Sequence, residues 1–345
     1  MARHRTDASG AGGARIGLQA VAAKAGVGIA TVGRVLNERG NVSPATARRV
    51  IEAARELGLR RVLPLPHRRL LRFEVVLARP HPSFLTRLNQ GFASLAATLD
   101  RSVLIQRTSL SQAAPERVAQ HIRRAKADGL IVFAEEHDAV RDAIAAVTTS
   151  GTPVLCMVTD IRGSGRLAYV GIDHARAGRT AGLLVARMLR RPGPVLVLTG
   201  DLALRAHAER LAGFRAGLAE EAPGIAIAAV LEGKDEDDRT ARLLRTALRA
   251  HPDAAALYNS GGCLAVMAEA VRRQVLPPGF VLVGHELTEE TRALLREGVM
   301  TLTIDQAFEL QARRAVEILL HHLGHIDLAP GPAEIPFTLH TRANA

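Results

Sequence analysis

Arg34 is the one long hydrogen-bond donor in the run Ile29–Leu36, IATVGRVL. A guanidinium can bond O6 and N7 of guanine in a bidentate way, the commonest specific contact to a base edge. If the run is helical, Val32, Val35 and Leu36 share a buried face, leaving Ile29, Ala30, Thr31, Gly33 and Arg34 for solvent or DNA. A second set of residues suits a different chemistry. His81, Ser83, Phe84, Asp160, Asp173, Arg205, Asn259, Glu286 and Gln306 each follow a short Val/Ile/Leu-rich run. Acids, amides and a basic donor beside an aromatic ring are what a polyol needs, because each hydroxyl both donates and accepts while the C–H face packs on a ring. Taken singly, each reads more readily as a cap or loop residue than as a ligand, and their joint position at strand ends is what favours the set; Phe84 reads equally as ordinary core.

The elements that must position Arg34 are legible in the chain around it. Leu18 to Ala25 carries apolar residues at Leu18, Val21, Ala22 and Ala25, a one-faced helical stripe, and Gly26 is placed to end it. Only Val27 and Gly28 separate it from the next helix, Ile29 to Leu36. Two short helices across a tight Gly-containing turn form a helix-turn-helix, whose second helix enters the major groove. Ser43-Pro44 opens a third helix by capping and by fitting the first turn, with Val50, Ile51, Ala54 and Leu57 as its stripe up to Gly58. Without the turn geometry, a small helical bundle with a solvated basic face would account for the same pattern.

From Phe73 onward, FEVVLA, SVLIQ, GLIVFA, PVLCMV, LAYVGID, PVLVLTG, IAIAAVL, AALYNS, FVLVG and MTLTI alternate with helical stretches. Such alternation predicts parallel sheets covered by helices, and this many strands predicts two α/β lobes. Ligands of such sheets bind beyond the carboxyl ends of the strands, and a pocket between lobes is the default site. The domain layout expected is an arm at 1–15, a helix-turn-helix head at 16–58, a hinge at 59–72 and a two-lobed body at 73–345.

Charge divides the chain in the same place. Residues 1–72 hold 14 Lys and Arg against 4 Asp and Glu, leaving 31 against 30 for residues 73–345. A basic end on a near-neutral body fits phosphate neutralisation by the head. The first fifteen residues have no apolar core for a secretory signal and read as a disordered arm, and no run is apolar over a membrane span. Cys156 and Cys263 sit in apolar segments and read as buried reduced thiols, so a cytoplasmic location is expected. Neither metal spacing nor the GxGxxG, GxxxxGK[ST] or GxSxG motifs occur, so neither an enzyme nor a cofactor is expected.

The run AVAAKAGVGIATVGRVLNERGNVSPATARRVIEAARELG resembles the N-terminal domain of the lactose-repressor (LacI-type) family of bacterial transcription regulators. The resemblance implies that Ile29, Ala30 and Arg34 read bases, that Thr31 and Asn37 help hold the backbone, and that the partner is a near-palindromic double-stranded DNA operator. It also implies a homodimer, with pairing into a tetramer left open. Gly17, Ala20, Gly28 and Gly33 stand where the family has hydroxyls or a carboxylate, so either binding leans harder on arginine or the head is less stable alone. In the family the linker forms a hinge helix whose leucine wedges into the minor groove. Here Pro64 and Pro66 interrupt it, Leu70 is the wedge candidate, and a semi-rigid basic tether is the equal alternative.

The body resembles the periplasmic sugar-binding-protein-like effector domain of the same family, with the chain crossing three times between lobes. By that likeness Asp160, Arg205, Glu286 and Gln306 fall at cleft positions, and a sugar or polyol is the effector of a repressor. Gly261-Gly262 in YNSGGCLA replace an Asn-Asp pair, so no particular sugar is carried over. The alternatives are a transport-type solute-binding protein and a regulator answering to a purine or sugar phosphate.

Overall fold

The computed structural model describes residues 17–37, 42–59, 70–78, 82–100, 102–110, 114–273 and 276–345. The chain forms two compact units, Met1–Leu70 and Leu71–Ala345. The arm, residues 60–69 of the linker, His81 and the side chain of Phe84 lie outside the described residues.

In the first unit, α1 (Leu18–Ala25) ends on Gly26 at φ 64°, the left-handed conformation that glycine adopts without a Cβ clash. α2 (Ile29–Leu36) follows after two residues, and α3 (Pro44–Glu56) opens on Ser43, whose side chain accepts the Thr46 N–H at 3.2 Å. Val21, Val32, Val50 and Ala54 meet in a fully buried core. Gly17 and Gly28 precede α1 and α2 with no side-chain cap, leaving Ser43 as the one such cap on these three helices. Ser43→Ala should therefore cost about 1 kcal/mol of local stability. Faster hydrogen exchange at the first amides of α3 in the full chain would report it, and unchanged protection would refute it.

The second unit contains two sheets. One has the order β2-β1-β3-β4-β5, from β1 (Leu71–Ala78), β2 (Val103–Leu110), β3 (Gly129–Phe133), β4 (Val154–Met157) and β5 (Ala168–Val170), all parallel. α4 (Pro82–Thr98), α5 (Pro115–Arg124) and α6 (Asp138–Thr149) connect these strands, and α12 (Phe308–His322) packs on α4, β4 and β5. The other sheet has the order β11-β10-β9-β8-β6-β7: β6 (Val195–Thr199), β7 (Ile227–Glu232), β8 (Ala256–Asn259), β9 (Val281–His285), β10 (Leu302–Asp305) and β11 (Thr338–His340). It carries α7 (His174–Met188), α8 (Arg205–Glu221), α9 (Asp237–Ala250), α10 (Leu264–Arg272) and α11 (Glu289–Glu297). Each of the ten apolar runs supplies a strand. β11, the one antiparallel member, is additional; its edge position and three residues explain the weak signal.

The chain passes between the lobes near 171–173, 306–307 and 323–337. The first and third of these passages are stitched together: Gly171 bridges to Glu334, and Ile335 N–H donates to Gly171 O at 2.8 Å.

α7 and α8 lie nearly backbone to backbone. A Cβ on Gly178 would overlap the carbonyl oxygen of Arg210, and one on Gly213 would overlap that of Ala175. Gly182 and Gly217, one turn further along each helix, repeat the contact. Among the described residues no helix is long and apolar enough to cross a membrane.

Candidate functional site

On α2 the pattern turns Val32, Val35 and Leu36 into the core, so one outer face carries the remaining residues. Ile29 is 49% exposed, Ala30 and Arg34 are exposed, and Thr31 is half-buried. The spacing from 30 to 34 to 37 places Ala30, Arg34 and Asn37 on neighbouring turns. Asn37 ends the helix by donating from Nδ2 to Gly33 O at 2.8 Å, a contact that holds backbone. Leu70 is 48% exposed immediately before β1. The face therefore offers one guanidinium, small and apolar side chains and no carboxylate.

In the second unit, a cavity lies between the lobes at the carboxyl ends of the strands. Phe133 at the end of β3 and the segments after β4, β6, β7, β8, β9 and β10 reach its wall, with Arg87 of α4 and Phe308 of α12. Arg210, 2% exposed, enters it from the second turn of α8. Its Nε donates to His174 Nδ1 at 3.1 Å and its Nη1 to Ser260 O at 2.7 Å. Because arginine only donates, His174 Nδ1 accepts, and the ring proton sits on Nε2, which donates to Val158 O at 2.5 Å. Burial and then the Arg210 charge push the His174 pKa well below the usual range, in keeping with that neutral tautomer.

His207 on the same helix is held down to about 4 by burial and by Arg210. Its Nδ1 faces Asp201 O at 3.0 Å and donates, so its Nε2 is a bare acceptor beside Gly261. A Cβ at Gly261 would come within 2.6 Å of that nitrogen. Of the glycine pair that displaces an amide and acid in the resembled pattern, Gly261 thus makes room for the imidazole and Gly262 for the Asp235 carboxylate. Asn259 holds the pair in place, accepting Gly261 N–H at 2.9 Å and donating to Gly262 O at 3.1 Å.

Glu286 faces Arg210 across the cavity. Burial, then the Asp305 charge, raises its pKa to about 7, against the opposing pull of Arg210 and Arg87. Gln306 Nε2 donates to Glu286 Oε1, while Glu286 Oε2 and Gln306 Oε1 are buried with no hydrogen-bond partner among the described residues. Arg87 lies over the Phe308 ring at 5.1 Å and donates to both oxygens of Asp305, at 2.5 and 3.0 Å. Six described non-glycine residues have left-handed backbone, and Val158, Asp235, Cys263 and Glu286 among them line this cavity. Such conformations cost about 1–3 kcal/mol each and persist only where the surroundings fix them.

The strand-end residues divide accordingly. Glu286 and Gln306 are on the wall. Asp160 is not; it is occupied by Arg166, whose Nε and Nη2 donate at 2.5 and 2.6 Å. Asp173 caps α7 by accepting the Arg176 N–H at 2.8 Å. Asn259 acts through the loop behind the wall. Arg205 also lies off the wall: it spans the lobes to Glu136 at 2.7 Å and pairs along α8 with Glu209 at 2.8 Å. The arginine that enters the cavity is Arg210, five residues later, on a helical turn that a rule about strand ends does not reach. Arg87 and Phe308 were missed for the same reason, although Phe308 is two residues past Gln306 and Arg87 three past Phe84, both of them singled out. Cys156 and Cys263 are both free and buried, and burial pushes the Cys263 thiol up to about 12.

Residues 17–61 match the bacterial regulatory proteins of the lacI family, and residues 73–326 match the periplasmic binding protein domain. Among curated relatives, the chain is 25% identical over 321 residues to the HTH-type transcriptional regulator CelR of Thermobifida fusca, covering 89% of this chain and 91% of that one. It is 26% identical over 287 residues to the HTH-type transcriptional regulator DegA of Bacillus subtilis, covering 78% and 80%. Among solved structures, a solute-binding protein of Burkholderia graminis in complex with D-arabinose superposes with a TM-score of 0.73 at 21% identity, over 81% of this chain and 98% of that one. GanP, a glucose-galactose binding protein of Geobacillus stearothermophilus, gives 0.70 at 24% identity, over 79% and 98%.

Proposed function

The chain belongs to the lacI family of bacterial regulatory proteins, with a periplasmic-binding-protein domain as its body, and from that premise we propose that this DNA-binding transcriptional regulator is a repressor released by a sugar or polyol. The observation that carries the effector class is the pair of buried acceptors without a hydrogen bond, Glu286 Oε2, which has only an ion pair at 3.5 Å with Arg87 Nη1, and Gln306 Oε1, on a wall that also holds Arg210. Buried polar atoms are rarely left unpaired, and a hydroxyl-rich ligand supplies donors to the acceptors and acceptors to the guanidinium groups. Relatives of the body that bind arabinose, glucose or galactose support the same class.

Ile29, Ala30 and Arg34 then read base edges, Thr31 and Asn37 hold backbone, and Leu70 is the candidate wedge. A homodimer on a near-palindromic operator follows, since one head covers only a half-site. The protein works by binding and not by turnover, in the cytoplasm where its DNA is. Selection from random duplexes with the full chain should return a two-fold symmetric sequence, and Arg34→Ala should lose about 1–3 kcal/mol per head on it and relax the preference at one base pair. Titrating pentoses, hexoses and polyols into that complex should dissociate it. A selection without a common sequence sinks the reading of the head; a complex indifferent to every sugar sinks the effector class alone.

A further inference from the structure

We propose a second ligand site, for a phosphate group, in a recess at the amino end of the first sheet, away from the cavity between the lobes. Its wall is formed by Arg72 and Glu74 of β1, Gln106 of β2, and His121, Arg124 and Lys126 at the end of α5. The recess lies at the opposite end of the strands from the cavity, because β1 begins here and its carboxyl end leads toward α4 and Arg87.

The recess is positively charged. Many arginines of the body have carboxylate partners, among them Arg87 with Asp305, Arg166 with Asp160 and Arg179 with Glu220, and others, such as Arg107 and Arg239, donate to backbone carbonyls. Among the described residues, the side chains of Arg72, Arg124 and Lys126 have no carboxylate partner. The one acid in the recess, Glu74, is buried, and its Oε1 is already shared by Thr108 and His121, each at 2.6 Å. Asp128 lies at the edge of the recess and accepts the Arg72 N–H at 2.8 Å, so three positive charges stand against two carboxylates and the recess keeps a net positive charge that suits a phosphate monoester. Arginine's planar fork and lysine's point charge are the usual donors to phosphate oxygens, and a polar wall lets water leave without stranding a buried group.

Arg72 is two residues past exposed Leu70, so the site lies at the start of β1, where the chain enters the body. The phosphate has two sources, a small phosphorylated metabolite or the backbone of DNA.

The test uses the full chain and the double variant Arg124→Ala/Lys126→Ala, whose changed side chains are exposed. Inorganic phosphate is titrated against chloride at constant ionic strength, with the thermal midpoint and the phosphorus-31 line as readouts. A saturable rise in midpoint and a phosphate line broadened by the wild type, both lost in the variant, are expected; the variant keeps the cavity arginines, so binding there cannot mimic this result. Both proteins are then compared on the selected duplex in phosphate-free buffer. A slope of log affinity against log salt that falls by about 0.9 per lost contact identifies backbone phosphate, and an unchanged slope with a lost phosphate response identifies a free monoester. Wild type and variant behaving alike in both arms would overturn the site, leaving the cations as mere compensation for the carbonyl end of α5.

Discussion

Gly178→Val should destabilise the body by about 3 kcal/mol or more. The new side chain would meet not a flexible neighbour but the carbonyl oxygen of Arg210, part of the α8 backbone. Relief requires α7 and α8 to separate along a seam that Gly182, Gly213 and Gly217 also keep narrow. Separation would expose Ala177, Ala181, Phe214 and Leu218, all in the core. Urea unfolding of the full chain followed by far-ultraviolet dichroism measures the change; a loss under about 1 kcal/mol would mean that the helices slide apart at little cost. Sugar affinity should fall too, because Arg210 is positioned by the same seam.

The second large effect is a pH dependence that belongs to Glu286. Its folded-state pKa of about 7 lies above the ordinary 4.5, so between those values the folded protein holds a proton that the unfolded chain has released. The contribution of this carboxyl to stability is complete below the lower value and is lost as pH rises through the upper one, in all ~3 kcal/mol. His207, held down to about 4, and His174 and His285, also lowered, slope the opposite way: their contribution is present above the ordinary histidine value of 6.5 and is lost on acidification. Wild type alone therefore mixes the two trends below 6.5. The difference between wild type and Glu286→Gln isolates the carboxyl, and it should move in favour of the glutamine as pH rises from about 5 to 7. A pH-independent difference would mean that Glu286 is ionised throughout. Saturating sugar should flatten the dependence as well, since its hydroxyls would give the ionised Oε2 hydrogen bonds beyond its ion pair with Arg87.

How much of this was readable beforehand follows from what kind of signal each feature leaves. The head was fully legible: a helix of eight residues with three core positions announces its face, and Gly26 and Ser43 mark its neighbours' ends by conformational preference and by capping. Strands buried on both faces, such as β1 and β3, announce themselves as apolar runs. The cavity was half legible. Strand ends point into the space between lobes, which found Glu286 and Gln306, but a residue's place on a loop does not say which way its side chain turns. Asp160 turns to Arg166 and Asp173 to its own helix, and both partners are local in sequence and geometry. Arg210 shows the converse limit, because it reaches the cavity from inside a helix where five residues advance the chain by about 7.5 Å. The glycine seam beneath it leaves four glycines at matching spacings in α7 and α8, a signal visible only once the two helices are known to touch.

The three passages between the lobes limit how the body can move. A single covalent connection would act as a swivel, free to bend and twist, whereas three side by side act as pins along one edge and leave a single opening rotation. The bridge between Gly171 and Glu334 removes play between two of those pins. Ligand-driven closure would then emerge as one defined displacement of the first lobe, and the strand where that displacement meets the linker is β1, next to Leu70.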